Sequence, residues 1–277
     1  MIEKIVQETN DPKLRSWLPV PEGSDFPIQN LPFGIFQPED KQPRVGIAIG
    51  DYVLDLLACN KEDFFGALLI DDSVFENHFL NDLIKLGKYK TRALRYAISL
   101  LLQEENTSLK NRKDVFTKFL HKQSDVKMLM PVNPGDYTDF YSSIQHATNV
   151  GKMFRPDNPL LPNWKHLPVG YHGRCSSIVV SGTEVRRPKG QILPKDSTTP
   201  VFSETKELDF ELEMAFITCE GKEQGLHITT DEADDFIFGM VIFNDWSARD
   251  IQRWEYVPLG PFLSKSFASS ISPWVVT

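Results

Sequence analysis

Two different spacings of apolar residues along the chain predict two kinds of secondary structure. Over residues 44–56 apolar side chains alternate with small or polar ones, and Gly50 and Asp51 interrupt the run, which is typical of a β-hairpin. Further along, the spacing becomes that of a helix with one apolar face, made of Leu94, Ala97, Ile98, Leu101 and Leu102. We therefore expect a helical stretch from roughly residue 75 to residue 120.

The character of the chain changes near Met130 and Pro131, beyond which glycine, proline and aromatic residues are frequent. Runs of β-forming residues recur at 176–180, 208–218 and 236–244. We place a domain boundary at about residue 125. An N-terminal domain over residues 1–125 holds the hairpin and the helical segment, and residues 126–277 form a second domain that is mainly β with long, ordered loops.

The last residues of the sequence are apolar and strand-like, with Trp274, Val275 and Val276 near the end. An unpaired hydrophobic strand invites aggregation, so a domain rarely finishes on one. Two interpretations follow. Either this segment is a short strand that is paired within the fold, or the chain stops before its second domain is complete.

Composition limits the classes of function. With 277 residues, 41% of them hydrophobic, the chain can bury a sizeable core, so disorder is not expected. A formal net charge of −8 argues against nucleic acid and anionic membranes as partners. No signal peptide or membrane-spanning run is visible. Three widely spaced cysteines, Cys59, Cys175 and Cys219, argue against a disulfide framework or a thiolate zinc site and favour reduced thiols in the cytosol.

Acidic and apolar residues alternate over residues 207–216. On a strand, residues two apart point to the same face, so Asp209, Glu211 and Glu213 share one face, opposite an apolar face formed by Phe210, Leu212 and Met214. Two carboxylates about 4 Å apart cost about 4 kcal/mol at an effective dielectric of about 20. A bound hard cation would remove that cost. The alternative is a half-exposed strand with a solvated acidic face, which is the more common arrangement.

Two further carboxylates strengthen the metal hypothesis. Asp139 lies in the segment GDYTDFYSS, and Asp245 ends a long apolar run in FGMVIFNDWSARD. A charged residue at the end of a buried strand tends to lie at a site rather than in the core. With Glu211 and Glu213, these residues could form an oxygen-rich cage, although spacing alone does not establish that they converge.

His146, shortly after Asp139, is a candidate general base, because histidine titrates near neutral pH. A lone histidine is more often structural or solvated, and the same holds for His166 and His172. Arg249 and Gln252 are three residues apart, so one helical turn would align them to hold a developing oxyanion. Each could equally be an ordinary surface residue.

Long segments of the chain closely resemble the fumarylacetoacetate hydrolase family: DYTDFYSSIQHATNVGKMFRP, LLPNWKHLPVGYHGRCSSIVVSG, LDFELEMAF and NDWSARDIQRWEYVPLGPFLSKSFASSISPWVV. The resemblance implies a mainly β (α+β) fold, with a small SH3-like N-terminal domain followed by a mixed β-sandwich roll catalytic domain that is incomplete here. It implies a cytoplasmic, homodimeric, metal-dependent enzyme of tyrosine and phenylalanine catabolism. The implied reaction hydrolyses the carbon–carbon bond of 4-fumarylacetoacetate to fumarate and acetoacetate.

The resemblance also assigns roles residue by residue. It implies divalent-metal ligands, for Mg²⁺ or Ca²⁺ or both, at Asp139, Glu211, Glu213 and Asp245, with Asp209 outside that set. His146 matches the base that activates water. Groups that stabilise negative charge match Arg249, Gln252 and Lys265. Substrate-contacting positions match Tyr141, Arg155, Tyr171, Gln252 and Tyr256. Lys265 also matches a position beside a second magnesium site, where Ser269 replaces the usual threonine.

The family pattern continues well beyond residue 277 and there carries the glutamate that orients the base histidine and a substrate-contacting threonine. We therefore expect compactness, dimerisation and activity of this chain to depend on residues it lacks. Two other interpretations stay open. The first is a superfamily relative such as an acylpyruvate hydrolase, a decarboxylase or an isomerase, which would lack the long DYTDFYSS and PNW…VGYHGR loops. The second is an inactive metal-binding or interaction protein.

Overall fold

The computed structural model describes residues 7–39 and 41–277. Its strands are β1 Phe33–Pro38, β2 Arg44–Ile49, β3 Tyr52–Asp55, β4 Leu120–Lys122, β5 Val126–Leu129, β6 Thr138–Tyr141, β7 Val169–His172, β8 Ile178–Val180, β9 Lys189–Ile192, β10 Val201–Glu204, β11 Leu208–Asp209, β12 Leu212–Thr218, β13 Ile237–Asp245, β14 Ser247–Ala248 and β15 Ser269–Ile271. Its α-helices are α1 Leu56–Lys61, α2 Asp72–Phe75, α3 Asn81–Ile84, α4 Gly87–Leu102, α5 Ile144–Phe154, α6 Arg249–Glu255 and α7 Leu263–Ser266. The prediction of a mainly β, α+β fold is confirmed.

The first five strands form one antiparallel sheet in the order β4-β3-β2-β1-β5. Its centre is the predicted hairpin of β2 and β3, which is confirmed, with Ala48 paired to Val53. Gly50 has a φ of +52°, a left-handed conformation that favours glycine in this tight turn. Strand β5 lies just beyond residue 125, and the division into two domains near that residue remains a proposal.

The helical region is shorter than the sequence predicts. One long helix, α4, contains the predicted apolar stripe, and Leu94, Ile98 and Leu102 are fully buried. The chain leaves the helix at Gln103, whose ψ of 149° is extended. The expectation of helix on to residue 120 is wrong apart from a single π-helical turn over Val115–Phe119. Residues 104–114 are almost entirely polar, so they have no apolar face whose burial would stabilise a further helix.

A four-stranded sheet in the order β12-β13-β15-β8 forms the centre of the second part. The last apolar residues of the chain connect it to the first sheet. Val275 exchanges backbone hydrogen bonds with Phe33 at 2.8 and 2.9 Å, and Val276 exchanges them with Met240. The C-terminal segment is therefore paired within the fold. Residues of both sheets belong to a single buried apolar cluster.

The two faces of β12 and β13 differ in chemistry. Met214 pairs with Ile242, and both are exposed, as are Leu212 and Phe216 on the same face. The opposite face carries Glu213 and, one strand away, Asp245. Strict alternation along each strand produces this division. Across the described residues, no helix combines the length and the apolar character needed to cross a bilayer.

Candidate metal centre and active site

Four carboxylates from three separate segments meet at one point. Asp139 comes from β6, Glu211 and Glu213 lie on either side of the first residue of β12, and Asp245 ends β13. Oxygens of the four carboxylates all lie within 4.8 Å of one another. The pairing of β12 with β13 produces this, since Glu211 and Asp245 exchange backbone hydrogen bonds at 3.1 and 3.2 Å. The expected convergence is therefore present in the structure.

Strands β6 and β7 supply the third side of the site. Asp139 lies opposite Tyr171 in this antiparallel pair. The Tyr171 hydroxyl donates a hydrogen bond to Oδ2 of Asp245 at 3.1 Å, which joins the pair to the end of β13. Burial raises the pKa of the Tyr171 phenol, and the nearby Asp245 and Asp139 raise it further, so this group stays a neutral donor.

Lys265 lies inside the cluster. Its Nζ is 2.7 Å from Oδ2 of Asp245 and 2.7 Å from Oε2 of Glu211, and its side chain is only 5% exposed. The hydroxyl of Ser269 donates to the other oxygen of Asp245 at 3.3 Å. Asp245, itself 1% exposed, therefore accepts from a cation, a phenol and a hydroxyl, as a buried carboxylate requires.

Arg249, the first residue of α6, lies on the opposite side of Glu211. Its Nη1 is 2.8 Å from Oε1 of Glu211, and it also donates to the side-chain oxygen of Gln252 at 3.1 Å. Its Nε is 3.0 Å from Asp209, which therefore pairs with the arginine and stays outside the four-carboxylate cluster. The predicted alignment of Arg249 with Gln252 on one helical turn is present.

The charges in this site are incompletely balanced. Lys265 and Arg249 pair with Glu211 and Asp245, whereas no ion pair within 4 Å joins Asp139 or Glu213 to the described part of the chain. Burial, followed by the charges of Asp139, Asp245 and Glu211, raises the pKa of Glu213 to about 8. Burial likewise raises the pKa of Asp139 and of Asp245.

The pKa of Glu211 is shifted in the opposite direction. Burial alone would raise its pKa, but hydrogen bonds and charge attraction from Lys265 and Arg249 hold the pKa below its ordinary value. Glu211 is therefore ionised at neutral pH, while Glu213 in the metal-free chain is largely protonated. The difference arises because two cations pair with Glu211, whereas no ion pair of the described residues includes Glu213.

These residues fit a hard divalent cation. The donors are carboxylate oxygens, which Mg²⁺ and Ca²⁺ prefer, and two of the four have no cationic partner in the described structure. Beside them, the hydroxyl of Tyr137 is buried and has no hydrogen-bond partner among the described residues. Its pKa is raised by burial and then by all four carboxylates. A bound divalent cation would offset this negative charge.

Stability of the metal-free chain should fall as pH rises from about 5 to about 8. The folded chain holds a proton on Glu213, whose pKa is raised from 4.5 to about 8, and the unfolded chain releases it near the ordinary value. The stabilisation is therefore complete below the unfolded pKa and is lost as pH rises through the folded one. Melting temperatures recorded in chelator should show this slope, and Glu213→Gln should flatten it. An unchanged slope in that variant, matching the exposed control Glu223→Gln, would assign the effect to another group.

His146 lies in the helix that follows β6. Helix α5 begins after Ser143, whose hydroxyl accepts from the backbone N–H of His146 at 3.3 Å, so the histidine sits in the first helical turn. Its ring is exposed and packs edge-on against Tyr141 with centroids 5.3 Å apart. Tyr141 is two residues from Asp139 on β6, so it lies on the same side of the strand as Asp139.

Two other predicted residues, Arg155 and Tyr256, have exposed side chains. Arg155 is exposed at the end of α5 and donates to the carbonyl of Pro159 at 3.2 Å, although its charge still acts on Tyr141. Tyr256 is 47% exposed after α6. No described hydrogen bond joins either residue to the four carboxylates, so their substrate-contacting roles stay predictions.

Sequence reasoning missed two groups near the site. Tyr137 could have been found, because it lies two residues before Asp139 and so shares its side of the strand. Glu255 could not, because its partners are backbone amides at the start of α7, whose position depends on tertiary structure.

Comparison with known proteins identifies the family. A family model described as "Fumarylacetoacetate (FAA) hydrolase C-terminal" matches residues 137–277, and one described as "Fumarylacetoacetase N-terminal" matches residues 29–131. The chain belongs to the fumarylacetoacetate hydrolase family. The family match to residues 137–277 includes all four carboxylates, Lys265 and Arg249.

Named relatives in this family are similar over nearly the whole chain. Fumarylacetoacetase of Rattus norvegicus is 53% identical over 264 residues, which cover 94% of this chain and 63% of that protein. The enzyme of Dictyostelium discoideum is 52% identical, covering 95% and 63%, and that of Arabidopsis thaliana is 48% identical with the same coverage. The chain therefore spans 63% of the length of these relatives.

Among solved structures, a fumarylacetoacetate hydrolase from Exiguobacterium antarcticum covers 89% of this chain and 66% of its own, at 19% identity and a TM-score of 0.49. A putative HpcE protein from Mycobacterium smegmatis gives 88% and 66%, at 19% identity and a TM-score of 0.48. At 19% identity and TM-scores below 0.5, these two structures do not bear on the role of the carboxylate cluster.

Proposed function

We propose that this protein hydrolyses the carbon–carbon bond of 4-fumarylacetoacetate, giving fumarate and acetoacetate. The observation that carries the proposal is the cluster of Asp139, Glu211, Glu213 and Asp245 with Lys265 between two of them. That cluster supports metal-assisted hydrolysis as the reaction class. The substrate is inferred from the relatives named fumarylacetoacetase.

Asp139, Glu211, Glu213 and Asp245 would hold the divalent cation, which we propose to be Mg²⁺ or Ca²⁺. When bound, such an ion supplies Lewis-acid polarisation of the substrate's carbonyl oxygens. The second magnesium position remains a proposal from the resemblance. Its support here is the placement of Lys265 and Ser269 against Asp245.

In this proposal His146 takes a proton from water, and the water oxygen bonds to the carbonyl carbon next to the fumaryl group. Lys265, Arg249 and Gln252 then donate to the oxyanion of the tetrahedral adduct, each contributing on the order of 3 kcal/mol. When the adduct collapses, the carbon–carbon bond breaks and its electron pair leaves with the acetoacetate carbon. Protonated His146 returns the proton to that carbon, so atoms and charge balance.

Substrate carboxylates would be held at the outer end of the site. Arg155 is the cation there, and a charge-assisted hydrogen bond is about twice as strong as a neutral one. Tyr141, Tyr171 and Tyr256 would add phenolic donors. The raised pKa values of Tyr141 and Tyr171, both caused first by burial, support their acting as neutral donors.

Replacing His146 with alanine should lower turnover by a factor of roughly 10² to 10⁴, the usual contribution of a general base. Affinity for Mg²⁺, measured by calorimetry, should be nearly unchanged because the ring lies outside the carboxylate cluster. Turnover is followed as the loss of ultraviolet absorbance of fumarylacetoacetate with magnesium or calcium present.

The matched control is His227→Ala, which removes an exposed histidine from the loop between β12 and β13. It should turn over substrate at the unaltered rate. Full activity in His146→Ala would exclude this residue as the base. Absence of turnover in the unaltered protein, at the length of its relatives, would defeat the substrate assignment.

A homodimeric state of the full-length protein and a cytoplasmic location are further proposals, carried by the family resemblance alone. Size measurement by light scattering tests the first.

A further inference from the structure

The segment that carries Lys265 is poorly held by packing. Between α6 and α7 the chain exposes its apolar side chains, with Val257 at 67%, Leu259 at 93% and Phe262 at 58% exposed. Two residues later Ser264 is fully buried and Lys265 is 6% exposed. Something other than burial of this loop must fix the point where the chain turns inward.

The side chain of Glu255 makes that attachment. Its carboxylate accepts from the backbone N–H groups of Phe262 at 2.8 Å, Leu263 at 3.1 Å and Ser264 at 2.8 Å, and from the Ser264 hydroxyl at 2.5 Å. These amides begin α7, so they have no acceptor within their own helix. Charged acceptors form hydrogen bonds about twice as strong as neutral ones, and four donors converge on this one group.

Glu255 lies on a helix that is itself held in place by hydrogen bonds. It is the last residue of α6, and the first turn of that helix is anchored by Asp250, which is 5% exposed. The Asp250 carboxylate accepts from the Thr205 hydroxyl and from the backbone N–H of Lys206. Helix α6 is thus held at its start by the buried Asp250, and at its end Glu255 binds the start of α7.

We propose that Glu255 is a positioning residue for the reaction: by gathering the amides of residues 262–264, it sets the Lys265 ammonium between Asp245 and Glu211. Ser264, the last of those donors, directly precedes Lys265 in the chain, so a shift at Ser264 is passed on to the lysine. The catalytic consequence of this inference rests on the proposed function. The placement of Lys265 does not.

The test measures the accessibility of Lys265 in this chain. N-hydroxysuccinimidyl acetate modifies amines, and peptide mass analysis gives a rate for each lysine. We expect Lys265 to be protected in the unaltered chain and Glu255→Gln to raise its rate on the order of tenfold, because the amide removes the charge and one of the two acceptor oxygens and so opens the segment locally. Exposed Lys152 serves as the internal standard and should not change.

The matched control is Glu207→Gln. It removes the same charge from a carboxylate that also pairs with α6, through Arg253 at 2.6 Å, but is half exposed and does not touch residues 262–264. It should leave the Lys265 rate unchanged. Glu255→Asp keeps the charge and should restore part of the protection. If Glu255→Gln does not fold, Ser264→Ala removes one of the four donors and should give a smaller increase.

An unchanged Lys265 rate in Glu255→Gln or Ser264→Ala would overturn the inference, even in a protein that hydrolyses fumarylacetoacetate. A rise in Ser264→Ala that is equal at all lysines would also overturn it, because the effect would then not be local to Lys265. Selective labelling of Lys265 in a protein without turnover would leave the inference standing and defeat the proposed function instead. In an active protein, Glu255→Gln should lower kcat and leave KM unchanged, since Lys265 is assigned to the oxyanion.

Discussion

Replacing Lys265 with methionine is expected to lower turnover of fumarylacetoacetate on the order of 10²- to 10³-fold, the usual effect of removing one oxyanion donor. The same change should tighten Mg²⁺ binding. The ammonium lies 2.7 Å from both Asp245 and Glu211 and offsets the charge that a divalent ion would meet. For this one variant, turnover measured by absorbance should therefore fall, whereas Mg²⁺ affinity measured by calorimetry should rise.

Lower turnover together with tighter Mg²⁺ binding is the diagnostic result, because a variant that merely unfolds loses both turnover and Mg²⁺ binding. Lys222→Met is the matched control, since Lys222 pairs with Glu232 at 2.6 Å in a surface loop and carries the same charge and side chain. It should alter neither measurement. Weaker Mg²⁺ binding in Lys265→Met would mean that the ammonium supports the metal site rather than competing with it.

Replacing Glu211 with glutamine should weaken Mg²⁺ binding at least on the order of a hundredfold. Two unit charges about 4 Å apart interact by about 4 kcal/mol at an effective dielectric of about 20, part of which desolvation cancels. The variant should also melt at a lower temperature in the absence of metal, because Lys265 and Arg249 each lose a charged partner. Calorimetry and thermal melts in chelator measure the two effects.

Glu213→Gln is the informative comparison. It should weaken Mg²⁺ binding by a similar factor, since it also removes a ligand carboxylate. In the metal-free chain near neutral pH it should cost little stability, because the raised pKa of Glu213 already keeps it largely neutral. If Glu211→Gln and Glu213→Gln destabilised the metal-free chain equally, that result would contradict the assignment of Glu211 as ionised and Glu213 as largely protonated. Unchanged Mg²⁺ affinity in either would remove that residue from the cage.

Local sequence determined the elements of this fold. The hairpin of β2 and β3 and the buried stripe of α4 follow from side-chain spacing within a dozen residues, where neighbours in sequence are neighbours in space. Where that spacing stops, as over residues 104–114, the expectation of helix failed. Polarity there leaves no face to bury, and packing rather than propensity supplies most helical stability.

The alternation over residues 207–216 is by itself enough to separate the acidic side chains from the apolar ones. It did not separate Asp209 from Glu211 and Glu213, and the family resemblance made that distinction. In the structure Asp209 turns to Arg249 while the other two join Asp139 and Asp245. The segments of this site are far apart in the sequence, so only the pairing of β12 with β13 and of β6 with β7 brings them together.

What the sequence by itself determined was therefore the set of ligand types and the strands that carry them, because alternation is a property of the backbone. Tertiary structure alone decided which carboxylates are ionised, where the Lys265 charge lies and which group holds it there. Those properties depend on burial and on the distance between charges, and both are set by segments that are remote in sequence. Glu255 illustrates this most directly, since its four donors come from residues 262–264, where no sequence pattern predicts the path of the chain.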